Sequence, residues 1–261
     1  MKPISNIVII GTGNVAKAFS MTFHKQGFNI LQVVGRNHEK AQQLAKLVNA
    51  EAITELQNIN KSADLYLIAV SDDAIASISG QIPHVGGIIV HTSGAMSIDI
   101  LKAQHAHCGV LYPVYSFWGQ DIDFDDVPLC IEGTDKNIEA QLRELAKKMK
   151  AHPKDLTSEE RLKIHLAAVM ANNFTNYLWL KTEAYLNQNQ LDFKLLQPLI
   201  QQSSEKLKSI SAADSQTGPA KRGDRNTIEK HLELLKGNEE LLAIYRNFTH
   251  SIYDYFHEKN K

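Results

Sequence analysis

The sequence predicts an α/β protein: a mostly parallel sheet with helices on both faces, followed by an all-helical region. Three observations carry that expectation. Short β-rich runs alternate with helical patterns through about the first 150 residues. Those runs are apolar almost throughout, as strands covered on both faces must be. After Pro153 helical periodicity takes over, with no convincing strand.

Taken in order, Asn6–Ile10 reads as the first strand and residues 14–26 as the first helix. Gly11-Thr12-Gly13-Asn14-Val15-Ala16 joins them directly. In that setting the first Gly permits a tight turn and the second lets backbone approach a pyrophosphate with no Cβ in the way. The small Ala16 allows close helix–strand packing. The anion then sits on free N–H groups at the positive end of the helix dipole. Gly11, Thr12, Gly13, Asn14 and Val15 are therefore expected to hold a dinucleotide in a Rossmann-like domain.

Residues 29–34 form the second strand and 39–48 the second helix. Between them, Val34-Gly35-Arg36-Asn37 has no Asp or Glu where NAD binders place an acid for the ribose 2′-hydroxyl. Arg36 offers instead a planar guanidinium suited to a 2′-phosphate; the alternative is an ordinary surface Arg. NADP is the expected cofactor.

Strands follow at 64–70, 87–92, 108–112 and 128–132, with a helix at 135–149. Ligands of open α/β sheets lie beyond the carboxyl ends of strands. Ser71 and Ser93, in loops after two of these strands, are thus placed to reach the ribose or amide, although Ser71 could equally cap a helix. His91, at a strand end, is open to a core or a catalytic role. His105-Ala106-His107-Cys108 has no fourth ligand nearby, so no metal is expected. Cys108 and Cys130 fall in apolar strands and read as buried free thiols.

The domain boundary is expected near 152–157, giving an NADP-binding domain over 1–152 and a helical domain over 153–261. Thr157-Ser158-Glu159-Glu160 reads as a helix start, with helix to about residue 187, then helices over 192–212, 224–236 and 238–257. At 100° per residue, Leu162, Leu166, Met170, Tyr177, Leu180 and Ala184 share a face with Asn173 in its middle. That amide either bonds to backbone or contacts substrate. His165, to one side, has the ring suited to proton transfer near neutrality, against the alternative of a surface histidine. Thr217-Gly218-Pro219-Ala220-Lys221-Arg222-Gly223-Asp224 stops one helix, and Asp224 can cap the next. With Lys221 and Arg222 it forms either an anion site or a plain linker.

Lys and Arg total 28 against 29 Asp and Glu, a net charge of −1. That supplies no basic field for nucleic acid or anionic lipid. No apolar run reaches the roughly 18–20 residues of a membrane span, and the first residues are unlike a signal peptide. A soluble, cytoplasmic protein is expected.

With these motifs in place, the chain resembles the NADP oxidoreductases that join a Rossmann-like domain to a C-terminal helical domain of unknown function. The 11–16 turn, the 91–95 loop, Asn172-Asn173, and the 217–224 stretch followed by His231 carry the likeness, which spans essentially the whole chain. It is more distantly similar to pyrroline-carboxylate reductase, the β-hydroxyacid dehydrogenases and the deazaflavin-dependent NADP reductases. The resemblance implies hydride transfer between nicotinamide and a small C=O or C=N substrate, in a cleft between domains, and a homodimer through the helical domain. Matched on Asn173, the β-hydroxyacid dehydrogenase Lys falls on Val169, a departure for which His165 is the nearest replacement. A second departure is Tyr112-Pro113, where relatives of prephenate dehydrogenase carry His-Pro. In this scheme His165 donates the proton, Asn173 polarises the reacting bond and Arg222 holds an anionic substrate group. The alternative is a non-catalytic NADP(H)-binding sensor or regulatory dimer.

Overall fold

A computed structural model describes residues 3–118 and 124–257. Contacts divide the chain into two compact units, Met1–Asn172 and Asn173–Lys261. The first contains an eight-stranded sheet. In chain order its strands are β1 (Asn6–Ile10), β2 (Asn29–Val34), β3 (Glu51–Ile53), β4 (Leu65–Ile68), β5 (Ile88–His91), β6 (Cys108–Pro113), β7 (Pro128–Gly133) and β8 (His152–Asp155). Their spatial order is β3-β2-β1-β4-β5-β6-β7-β8. The first six are mutually parallel, β7 turns antiparallel to β6, and β8 runs parallel to β7. The chain therefore reverses its winding between β1 and β4, where open sheets of this kind bind ligands.

Successive strand residues enter two separate cores, which explains the uninterrupted apolar runs. Ile7, Ile9, Leu65, Leu67 and Val90 pack with Phe19 and Phe23 of α1 (Asn14–Lys25), Leu44 of α2 (His38–Leu47) and, further along the chain, Leu142 and Leu145. Val8, Ile10, Tyr66, Ile68 and Ile89 pack on the other face with Ile75 of α3 (Asp72–Gln81) and Leu101 of α4 (Asp99–Lys102). Leu142 and Leu145 belong to α5 (Lys136–Lys148), whose start is capped by the Asp135 carboxylate accepting from Asn137 and Ile138 N–H.

Two strands depart from the expected pattern. β3 is three residues long and carries a charged residue, too little for a strand signal. β8 runs past Pro153, where no strand was expected. It is the outermost strand, largely exposed, and an edge tolerates both Pro and charge.

The expected helix start at Thr157 is present as a capping box. Thr157 accepts from Glu160 N–H, and the Glu160 carboxylate accepts from Thr157 N–H, at the head of α6 (Ser158–Ala168). The helix expected to run unbroken to 187 instead passes through a π turn, Val169–Phe174, before α7 (Thr175–Gln188). The unit boundary falls inside that turn. A π turn breaks the 100° phasing on which the Asn173-centred apolar face was drawn. Leu162, Leu166, Met170, Tyr177 and Leu180 are in fact exposed, between 43% and 60%.

In the second unit the helix expected over 192–212 is interrupted. A 3₁₀ turn (Phe193–Leu196) leads into α8 (Gln197–Lys206), with Pro in its first turn, and α9 is short (Ala212–Ser215). α10 (Pro219–Arg222) ends on Gly223 at φ 68°, a left-handed position that favours glycine. Asp224 then caps α11 (Arg225–Leu234) as expected, accepting from Thr227 N–H at 3.1 Å. α12 (Glu239–His257) meets α11 through His231 Nδ1 and Tyr245 Oη at 2.8 Å, and meets α7 through Lys181 and Glu240 at 2.5 Å.

Candidate active site

The carboxyl ends of β1, β4 and β5 lie side by side, Ile10 against Ile68 and Ile68 against His91. Gly11 leaves β1 at φ 128°, and its N–H donates to Val34 O at 2.9 Å. A Cβ at Gly11 would sit 2.1 Å from Ala69 O, so the turn closes against the β4 backbone only with glycine. Gly13 is the opposite case: a Cβ there meets nothing within 4 Å. It faces open space at the N-terminus of α1, and α1 has neither a side-chain cap nor an acidic residue in its first turn. Ala16 is fully buried. The tight turn, the open approach and the uncapped helix start all fit a dinucleotide pyrophosphate.

At the end of β2, Gly35 packs so closely on Thr12 that a Cβ would lie 2.7 Å from Thr12 Cγ2. Arg36 beside it is exposed and has no hydrogen bond or ion pair among the described residues. Its guanidinium is available to a ligand phosphate.

Ser71 occupies the N-cap position of α3 in extended backbone, yet its hydroxyl accepts nothing from the helix. Ser93 is more committed. Its Oγ accepts from Ala95 and Met96 N–H at 3.1 and 3.0 Å, and its own N–H donates to His91 Nδ1 at 3.2 Å. His91 is fully buried, and that burial, helped by the Arg161 charge, pushes it down to about 4 against a smaller opposing pull from the Ser97 backbone. It is a neutral core residue.

The other wall is the buried face of α6. Arg161, only 1% exposed, donates through Nε to Ser93 O at 3.2 Å, and through its terminal nitrogens to Met96 O, Ser158 Oγ and Glu132 Oε2. Glu132 also accepts from the Ser158 N–H and hydroxyl at 3.1 and 2.7 Å, so the pair is tied into a shared hydrogen-bond network. One helical turn on, His165 Nδ1 meets Tyr112 Oη at 3.1 Å, with the rings edge to face at 79°. Tyr112 stands at the end of β6, and burial raises its phenol above the ordinary range. Gly94 lies against both: a Cβ there would be 2.6 Å from His165 Nδ1 and 2.7 Å from Tyr112 Cζ.

Of the residues singled out in the sequence, Gly11, Thr12, Gly13, Asn14, Val15, Arg36, Ser71, Ser93 and His165 all belong to the first unit. Asn173 and Arg222 belong to the second. Asn173 is exposed in the π turn, and Arg222, 64% exposed at the end of α10, is 4.0 Å from Asp224. The Lys221 ammonium donates to Gln216 O at 2.8 Å and lies over the Phe256 ring. His105 bonds Ser79 at 3.0 Å. Sequence reasoning missed Arg161 and treated Tyr112 only as a departure. The available signal was the i, i+4 spacing of Arg161 and His165, but their partners lie 29 and 53 residues away in the chain.

Residues 6–93 match the family described as NADP oxidoreductase, coenzyme F420-dependent, and residues 127–252 match a domain of unknown function (DUF2520). A Bacteroides fragilis protein described as a candidate NADP oxidoreductase is 32% identical over 96% of this chain and 98% of its own, with a TM-score of 0.90. A Thermotoga maritima protein is 21% identical, covering 98% of this chain and 100% of that one, with a TM-score of 0.75. A reductive aminase from Aspergillus terreus, solved with NADPH and ethyl-5-oxohexanoate, shares the fold at 15% identity and a TM-score of 0.69, over 98% of this chain and 100% of its own. The chain thus belongs to the family of NADP oxidoreductases that join a Rossmann-like domain to a C-terminal helical domain of unknown function.

Proposed function

We propose that the protein is an NADP-dependent oxidoreductase acting on a small C=O or C=N substrate. The observation that carries this reading is the juxtaposition of two features at one sheet edge: a turn built for pyrophosphate, and a histidine held against a tyrosine. When bound, the dinucleotide supplies the hydride; the protein supplies orientation and a proton route. The N–H groups opening α1 hold the pyrophosphate, and Arg36 pairs with the 2′-phosphate. Ser71 and Ser93 border the ribose or amide. His165 exchanges the substrate proton, Asn173 polarises the reacting bond and Arg222 receives an anionic group on the substrate. The helical region pairs two chains into a homodimer, and the protein works in the cytoplasm.

Titration with NADPH and NADH tests the cofactor assignment. NADPH is expected to bind more tightly, and Arg36→Ala to weaken NADPH about tenfold or more while sparing NADH, the scale of a lost charge-assisted hydrogen bond. Equal affinity for the two dinucleotides, or binding of neither, overturns it. Single-turnover oxidation of NADPH with keto acids, aldehydes and imines tests the reaction. Val169, at the start of the π turn where a catalytic Lys would stand in the β-hydroxyacid dehydrogenases, favours a second reading, an NADP(H)-binding sensor or regulatory dimer. Tight NADPH binding without turnover across that panel would select it.

A further inference from the structure

We propose that Tyr112 is the positioning residue of His165: its hydroxyl engages Nδ1 and leaves Nε2 to exchange a proton with the substrate. The proposal rests on the oxidoreductase reading and gives its proton route a second member. Three contacts fix the pair. Tyr112 Oη lies 3.1 Å from Nδ1, with ring centres 5.7 Å apart. The backbone at Gly94 presses on both rings so closely that any side chain there would displace them. Arg161, one turn earlier on α6, is fastened to the carbonyls of Ser93 and Met96 on either side of that glycine, so loop and helix hold the histidine from two directions. His165 Nε2 has no partner among the described residues. Burial raises the Tyr112 hydroxyl further above its ordinary value, so it keeps its proton at neutral pH.

The proton balance follows from this arrangement. In the reducing direction an Nε2–H bond of the imidazolium breaks as an O–H or N–H bond forms on the substrate, whose carbon accepts the hydride of the reduced dinucleotide. The ring becomes neutral and keeps its other hydrogen on Nδ1, where it donates to Tyr112 Oη. In the oxidising direction the Nε2 lone pair takes the proton back. A hydrogen bond at one imidazole nitrogen sets the role of the other; with Tyr112 Oη accepting from Nδ1–H, Nε2 is left to work in both directions.

The test uses full-length protein labelled with 15N-histidine. His165 is assigned by His165→Asn, and its neutral tautomer is read by long-range 1H–15N NMR. The Nδ1–H form is expected to dominate in the wild type. Tyr112→Phe, which keeps the ring and removes only the hydroxyl, should move the ratio toward Nε2–H by about threefold or more, the scale of one net hydrogen bond. It should also slow single turnover about tenfold or more, with NADPH affinity unchanged. An unaltered ratio, a dominant Nε2–H form in the wild type, or wild-type turnover in Tyr112→Phe each overturns the proposal and leaves the oxidoreductase reading standing. A wild type that shows the tautomer shift but turns over no carbonyl or imine overturns the oxidoreductase reading, and the proton-exchange role with it, while the Tyr112–His165 bond stands.

Discussion

Arg161 donates from Nε to the backbone carbonyl of Ser93 at 3.2 Å, a bond between residues 68 apart in sequence and both shielded from water. It fastens the loop after β5 to α6, and the same guanidinium pairs with Glu132 at 3.1 Å.

Arg161→Met should therefore destabilise the protein by about 3 kcal/mol or more, because it leaves a largely buried carboxylate without its counter-charge and the Ser93 and Met96 carbonyls without their Arg161 donor. Urea unfolding followed by circular dichroism measures this. A loss below about 1 kcal/mol would show that Glu132 is satisfied without Arg161.

Gly94→Ala tests the close approach directly. The added methyl must push His165 or Tyr112 aside, at an overpacking cost of about 1–3 kcal/mol. The thermal midpoint should drop, and a crystal structure of the variant should show Tyr112 Oη and His165 Nδ1 beyond hydrogen-bond distance. An unmoved pair would contradict the contact.

The two glycines of the first turn should separate folding from binding. Gly11→Ala meets backbone at 2.1 Å and requires φ 128°, so it should destabilise by several kcal/mol. Gly13→Ala has room and an ordinary φ of −80°, so stability should change by about 0.5 kcal/mol or less. Its methyl would nevertheless stand where the pyrophosphate approaches, and NADPH affinity should fall severalfold. Unchanged affinity in Gly13→Ala would remove the pyrophosphate from this turn.

His91 makes stability depend on pH. Its folded value of about 4 lies below the ordinary 6.5, so between those limits the unfolded chain binds more protons than the folded one. Stability should rise with pH across that window, by about 3 kcal/mol in total, and be fully present above it. His91→Gln should flatten the slope between pH 4 and 6.5. A variant with the wild-type slope would assign the dependence to other groups.

Local signals carried much of the fold. β1 and α1 were legible because the turn between them is contiguous, and the Thr157 capping box and Gly-Pro stop act within a few residues. β3 and β8 were not, since edge strands owe their conformation to a neighbour rather than to their own composition. The same distinction divides the site. Gly11 and Gly13 announce themselves through spacing. Arg161 is an unremarked charge on a helix until Glu132 and the 93–96 carbonyls are brought to it by the sheet. Asn173 was phased with the apolar residues on both sides of it as one continuous helix, because a π turn, which has no simple sequence signature, intervenes.

Cys108 and Cys130 sit at opposite ends of the β6–β7 ladder, both buried and both pushed up to about 11, chiefly by that burial. With their thiolates suppressed, alkylation at neutral pH waits on local opening of the strands around each sulfur. The two sites thus form a natural pair of clocks. Cys130, directly across from Tyr112, times the breathing of the ladder end that carries the phenol–imidazole pair, and Cys108 times the far end. A ligand that seats itself at the sheet's carboxyl edge should slow the first clock more than the second.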